Sequence, residues 1–176
     1  LASHKGFDLV KYILPEMLEL GMQFVLLGTG ERDIEEYFKD IQLKYPDKVK
    51  VFLEFNKDLS KKIYAGSDIF LMPSKSEPCG LSQMISSAYG TVPVVREAGG
   101  LYDTIKPYNE YNGEGNGFTF ANYNAHEMKD AVARAISLFH NKEKWEKLVR
   151  ATMEANFSWS ASAEKYIELY RNIANK

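Results

Sequence analysis

Apolar positions recur along this chain in two alternating rhythms. Over 7–20 they fall three and four apart, at Leu9, Val10, Ile13, Leu14, Met17 and Leu18, which predicts an amphipathic helix. Pro15 interrupts that stretch, and Gly21 suits its end. Phe24-Val25-Leu26-Leu27-Gly28 is a short unbroken apolar run of the kind a buried strand makes. Helical spacing returns over 34–45 with Ile34, Tyr37, Phe38 and Ile41. The same alternation predicts a strand over 48–55, a short helix over 59–65, a strand over 69–72, a helix over 81–89 and a strand over 92–95, with Pro93 near its start. Residues 108–117 are polar and glycine-rich and predict a surface loop. A short strand over 117–120 and helices over 125–139, 142–153 and 161–174 follow. Short apolar strands alternating with helices predict an α/β fold with a doubly wound parallel sheet and closing C-terminal helices. Trp145, Phe157, Trp159, Tyr166 and Tyr170 have core-like spacing in those last helices.

Bulk properties narrow the classes without choosing among them. At 176 residues the chain is one domain by length, large enough to bury a core. It is 45% hydrophobic and 26% charged with net charge −2, so no basic surface points to a nucleic-acid partner. Its one cysteine excludes an intrachain disulfide and fits a reducing compartment. No apolar run approaches the ~20 residues that span a bilayer, and no signal peptide is visible, so no membrane partner is expected. The sequence starts at Leu1 without a methionine and enters a helical pattern almost at once. The expectation is a piece of a longer protein, beginning just after a strand.

The richest chemistry lies in Ser74-Lys75-Ser76-Glu77-Pro78-Cys79-Gly80-Leu81-Ser82-Gln83. It joins the strand over 69–72 to the helix over 81–89, at the edge where open parallel sheets bind ligands. Glutamates usually lie in solvent, yet Pro78 holds Glu77 to extended or turn geometry. A carboxylate so placed can accept sugar hydroxyls or stabilise developing positive charge. Cys79 has no nearby histidine to activate it, so it is expected to be a small, half-buried packing residue. Ala98-Gly99-Gly100-Leu101 follows the next strand, where adjacent glycines make either an anion-binding nest or a flexible loop. Lys5-Gly6 precedes the first helix and is either an anion site or a solvated lysine. Gly28-Thr29-Gly30 is first an ordinary tight turn bordering a ligand crevice, with Glu31 and Asp33 opposing phosphate contact. His4, His126 and His140 lack metal-ligand spacing.

Together these residues resemble the carboxyl-terminal domain of bacterial glycogen synthases and plant starch synthases, retaining glucosyltransferases of the two-domain GT-B type. The resemblance runs in order through Ser3-His4-Lys5-Gly6-Phe7-Asp8, Leu27-Gly28-Thr29-Gly30, Glu77-Pro78-Cys79-Gly80-Leu81-Ser82-Gln83, Tyr89-Gly90-Thr91-Val92-Pro93, Gly99-Gly100-Leu101-Tyr102-Asp103-Thr104 and Phe157-Ser158-Trp159. It implies a Rossmann-like half of a GT-B fold that binds ADP-glucose or UDP-glucose without a metal or other cofactor. In the complete enzyme glucose would pass to the non-reducing end of an α-1,4-glucan. The resemblance makes Lys5 the donor-phosphate ligand and Glu77 the acid beside the transferred glucose. It makes Cys79, Gly80, Leu81, Gly99, Gly100 and Leu101 the sugar and phosphate loops, with Gly28 bordering the crevice and Phe55 near the nucleobase. Ile85 stands where many related transferases carry a second glutamate, which the bacterial and plant synthases also lack, and Ala98 replaces a frequent threonine. The acceptor site, a catalytic histidine, another glycine-rich loop and an arginine just before Leu1 would lie in an amino-terminal part outside this sequence. The implied location is the cytoplasm, or the plastid in a plant. The alternatives are a GT-B transferase with another acceptor and a non-catalytic nucleotide- or glucan-binding module.

Overall fold

A computed structural model describes residues 1–174. Helix α1 (Phe7–Leu18) buries the stripe its spacing demands, with Ile13, Leu14 and Met17 wholly out of solvent. Pro15 sits inside this helix without ending it. Proline removes the N–H that would bond the carbonyl four residues back, here that of Lys11. The hydroxyl of Tyr37, on α2 (Arg32–Lys44), donates to that carbonyl at 2.7 Å. A tertiary contact thus supplies the bond that the helix cannot.

The remaining elements are β1 (Phe24–Leu27), β2 (Val49–Phe52), α3 (Lys57–Gly66), β3 (Ile69–Met72), α4 (Ser82–Ala88), β4 (Val92–Arg96), α5 (Gly100–Thr104), β5 (Phe118–Phe120), α6 (Ala125–Phe139), α7 (Lys142–Glu154) and α8 (Trp159–Ala174). The α/β alternation is as the sequence predicts, except that α5 replaces an expected loop. Every strand pairing is parallel: β1 with β2, and β4 between β3 and β5. The strands form two sheets rather than one. The free edges of β1 and β3 line a cleft of about 890 Å³, walled also by Val10 and Met17 of α1 and Ile136 of α6. Parallel strands are normally buried on both faces. Val92, Val94 and Val95 of β4 obey that rule, whereas Val25 of β1 is 43% exposed beside the cleft.

Helices α1 and α6 pack together, and α4 and α7 pack together against β4. Trp145 joins the core and Phe157 is half-buried. The expectation of packing fails for Trp159, Tyr166 and Tyr170. All three are exposed, Trp159 by 91%, and no described residue of α8 is buried. Helical spacing decides which side chains share a face, not whether another element covers that face.

Candidate functional site

Three segments meet at the carboxyl ends of β3 and β4. The first is a 3-10 turn, Ser3–Lys5, closed by Gly6 in the left-handed region at φ 81°. A Cβ on Gly6 would stand 2.1 Å from the Pro73 carbonyl oxygen, so this close approach requires glycine. The Lys75 amide donates to the His4 carbonyl at 2.9 Å, fastening the turn to the loop after β3. Lys5 Nζ thereby lies 2.6 Å from Glu77 Oε2, and the Ser74 hydroxyl donates to the same oxygen at 3.3 Å. Glu77 is only 7% exposed. An isolated carboxylate so buried is costly, and the lysine and serine offset that cost.

The third segment follows β4. Gly99 has φ 49°, and a Cβ there would stand 2.2 Å from the Glu77 carbonyl oxygen. A Cβ on Gly100 would stand 2.1 Å from the Cys79 carbonyl oxygen. The Gly100 amide donates to Glu77 O at 3.0 Å and the Leu101 amide to Ala98 O at 3.1 Å. Those two amides are therefore engaged within the chain. Among the described residues, the amides of Gly80, Leu81 and Gly99 have no protein acceptor. The Leu101 side chain is wholly buried beside Val95 and Ile105, whereas Leu81 is exposed. Cys79 is exposed rather than half-buried, a correction. Gly80 turns the loop outward at φ 75°, and the Gln83 side chain fills the space beneath it.

Residues 1–153 match the family of glycosyl transferases group 1. The chain belongs to that family. It is 53% identical over 171 residues to a glycogen synthase of Bacillus licheniformis, covering 97% of this chain and 35% of that protein. It is 51% identical over 175 residues to a glycogen synthase of Clostridioides difficile, covering 99% of this chain and 36% of that protein. It also superposes on the catalytic domain of starch synthase IV from Arabidopsis thaliana, bound to ADP and acarbose. There the TM-score is 0.86 and identity 37%, over 100% of this chain and 37% of the other. The chain thus spans about a third of the length of the curated relatives it matches. Its architecture is that of GT-B glycosyltransferases.

Two other expected site residues of this glycosyl transferase domain stand apart from the Lys5–Glu77 cluster. Gly28, at the end of β1, packs against the Leu1 side chain, and its amide donates to Phe52 O at 3.0 Å. The neighbouring Gly30 amide donates to Glu35 at 2.8 Å, so both amides are engaged within the chain. Phe55 follows β2 and is 92% exposed.

The structure adds residues that sequence reasoning missed. Arg96, the last residue of β4, donates through Nη1 to the carbonyls of Ser74 and Lys75 at 3.2 and 2.9 Å. Its guanidinium lies 5.5 Å from the centre of the Tyr123 ring, and the Tyr123 hydroxyl donates to Asp8. Burial first, then the Asp8 carboxylate, pushes the Tyr123 hydroxyl above the usual tyrosine range. A guanidinium ending a wholly apolar strand was the signal available for Arg96. Gln83 is wholly buried between the two glycine loops, and its place in Gly80-Leu81-Ser82-Gln83 carried no separate signal.

Proposed function

We propose that this domain binds the nucleotide-sugar donor of a glycogen or starch synthase. In the full-length protein it would support retaining transfer of glucose from ADP-glucose or UDP-glucose to the non-reducing end of an α-1,4-glucan. The observation that carries this reading is the buried Glu77 held against Lys5 at a strand end, between loops with unengaged amides. Likeness to proteins named glycogen synthase, and to a starch synthase bound to ADP and acarbose, supports it.

The chemistry follows from charge. A departing nucleoside diphosphate carries growing negative charge. An ammonium has three protons, and only one of those on Lys5 has a described acceptor. The other two can face phosphate while the first stays on Glu77. The amides of Gly80, Leu81 and Gly99 add preorganised donors, each worth roughly 3 kcal/mol when aimed at developing charge. The Glu77 carboxylate answers the positive charge that develops on the sugar ring. In this scheme these groups compensate the charge without a metal.

The rest of the enzyme belongs to the same proposal. An amino-terminal domain supplies the glucan acceptor site, and the protein works in the cytoplasm. An extended segment parallel to β1 and β3 fits the cleft between their free edges. The Leu1 nitrogen, which donates to the Thr29 carbonyl just beyond the end of β1, is where such a segment would join. The test is Glu77→Gln in the full-length protein. Glucose transfer from ADP-glucose should fall at least ~100-fold, with ADP affinity within about threefold. Equal losses in both would show that Glu77 only shapes the pocket.

A further inference from the structure

Among the described residues, Gln83 is the one side chain that ties both glycine loops together from beneath. Its Nε2 lies 3.2 Å from Cys79 O, 3.0 Å from Gly80 O and 3.3 Å from Thr104 Oγ1. The Thr104 hydroxyl in turn donates to Gly100 O at 2.6 Å. A hydrogen-bonded chain therefore runs from the Cys79-Gly80 loop through Gln83 and Thr104 to the start of α5. The amide orientation is forced. The opposite flip would point Oε1 at two carbonyl oxygens, and a carbonyl donates nothing.

This arrangement has a cost. Gln83 is wholly buried, and its Oε1 has no hydrogen-bond partner. An unpaired buried acceptor costs about 1–3 kcal/mol. An apolar side chain of similar length would fill the same space without that penalty, so filling space does not account for a glutamine here. What the amide adds is direction, because its two protons are shared among the Cys79 and Gly80 carbonyls and the Thr104 hydroxyl oxygen, and that sharing sets the peptide planes the carbonyls belong to. Fixing the peptide of Cys79 fixes the Gly80 amide, and fixing that of Gly80 fixes the Leu81 amide. Both amides are among those without a protein acceptor in the described residues. Gly80 has φ 75°, and a Cβ there would stand 2.5 Å from Gln83 Oε1, so a side chain at this position would push the glutamine amide out of place.

We propose that Gln83, acting through Thr104, is a positioning residue that holds the two donor-facing loops in mutual register. The inference rests on the donor-binding reading given above. It assigns Gln83 no contact with substrate. Gln83 aims the amides at 80 and 81 and couples them to the loop at 99–100.

The test uses the full-length protein with Gln83→Met, which keeps length and removes the donor, and Thr104→Val, which removes the relay. Two readouts separate positioning from bulk stability. The first is hydrogen exchange of the segments spanning 79–82 and 98–104. In Gln83→Met both segments should exchange about tenfold faster, the second although it lies beyond β4. The second readout is steady-state transfer with ADP-glucose and a maltooligosaccharide. The KM for ADP-glucose should rise about tenfold, the scale of one lost hydrogen bond, with the acceptor KM unchanged. The double variant should be no worse than Gln83→Met alone. Unchanged exchange over 98–104, or effects that add in the double variant, would overturn the coupling. If the wild-type protein transfers no glucose from ADP-glucose, the functional reading falls and the exchange measurement alone decides the coupling.

Discussion

Gly100→Ala adds a single methyl group at the closest contact between the two loops. Its Cβ would stand 2.1 Å from Cys79 O and 2.6 Å from both Cys79 C and Cα. A tolerable C···O contact is near 3.3 Å, so one loop must retreat by about 1 Å. No flexible side-chain end lies in the way to yield instead, since all three atoms are backbone. Retreat strains or breaks the 3.0 Å bond from the Gly100 amide to Glu77 O. Overpacking costs about 1–3 kcal/mol and the hydrogen bond a further 0.5–1.5 kcal/mol, roughly. A loss of about 2–4 kcal/mol corresponds to a fall of roughly 5–15 °C in melting temperature for a domain of this size. The kinetic effect should be larger in proportion, because Glu77 moves with the loop. A displacement near 1 Å at a reacting centre costs about 100-fold in rate. Gly113→Ala is the matched control. It has φ 78°, but a Cβ there meets nothing within 4 Å, so only backbone strain of about 1 kcal/mol applies. Thermal melts and steady-state transfer in the full-length protein measure both effects. If Gly100→Ala keeps kcat/KM within about twofold of wild type, the two loops do not meet in the register described.

Two further perturbations probe the frame behind the site. Tyr37→Phe should cost about 1 kcal/mol by orphaning the Lys11 carbonyl, and that loss should vanish in a Pro15→Ala background, where the helix supplies its own N–H. Equal losses in both backgrounds, measured by urea unfolding, would show that the hydroxyl does not compensate for the proline. The Tyr123 hydroxyl titrates above its ordinary value near 10 because it is partly desolvated and donates to Asp8. Its stabilising contribution is therefore fully present below about pH 10 and declines as pH rises beyond that, where the unfolded chain loses its proton first. The stability difference between wild type and Tyr123→Phe should shrink on going from about pH 8 to about pH 11. A difference that stays constant across that range would show that the Tyr123 phenol does not couple to folding.

The fold was largely legible because burial obeys periodicity where two surfaces meet. The stripe of α1 and the unbroken run of β4 are wholly apolar for that reason, and both are buried. Periodicity was silent where one partner surface was unknown. Trp159, Tyr166 and Tyr170 repeat as core residues do, yet α8 leaves them in solvent. The split between β1 and β3 was equally invisible, since an apolar strand has the same pattern with one neighbour or two. The site divides in a similar way. Glu77, Gly80, Gly99 and Gly100 were readable because a proline or a glycine announces a constrained backbone at a strand end. Gly28 carried the same announcement, but its turn holds Leu1 and Phe52. Arg96 and Gln83 were not readable because each reaches a partner 21 or 22 residues away in the chain, Ser74 and Lys75 for Arg96 and Thr104 for Gln83. Only the adjacency of β3 and β4 brings those partners together.

Lys5 is placed by a different contact, that of the first turn with the loop after β3. Lys5 reaches Glu77 because Gly6 rests on the Pro73 carbonyl and the Lys75 amide holds His4 O. The ammonium and the carboxylate therefore arrive on one connected backbone unit, not on two independently mobile arms. The lysine side chain keeps 40% of its surface in solvent while the glutamate keeps 8%. The pair is thus open on the cationic side and closed on the anionic side. A phosphate approaching from solvent meets Lys5 first and can bond its remaining protons without separating it from Glu77. Removing Lys5 deletes a phosphate ligand and also leaves a buried carboxylate unpaired, a penalty that belongs to folding as much as to binding. A loss of activity in Lys5→Met alone therefore cannot be credited to phosphate binding. Lys5→Arg keeps the charge and can still meet Glu77, so its donor affinity isolates what the ammonium does for the ligand from what it does for the carboxylate.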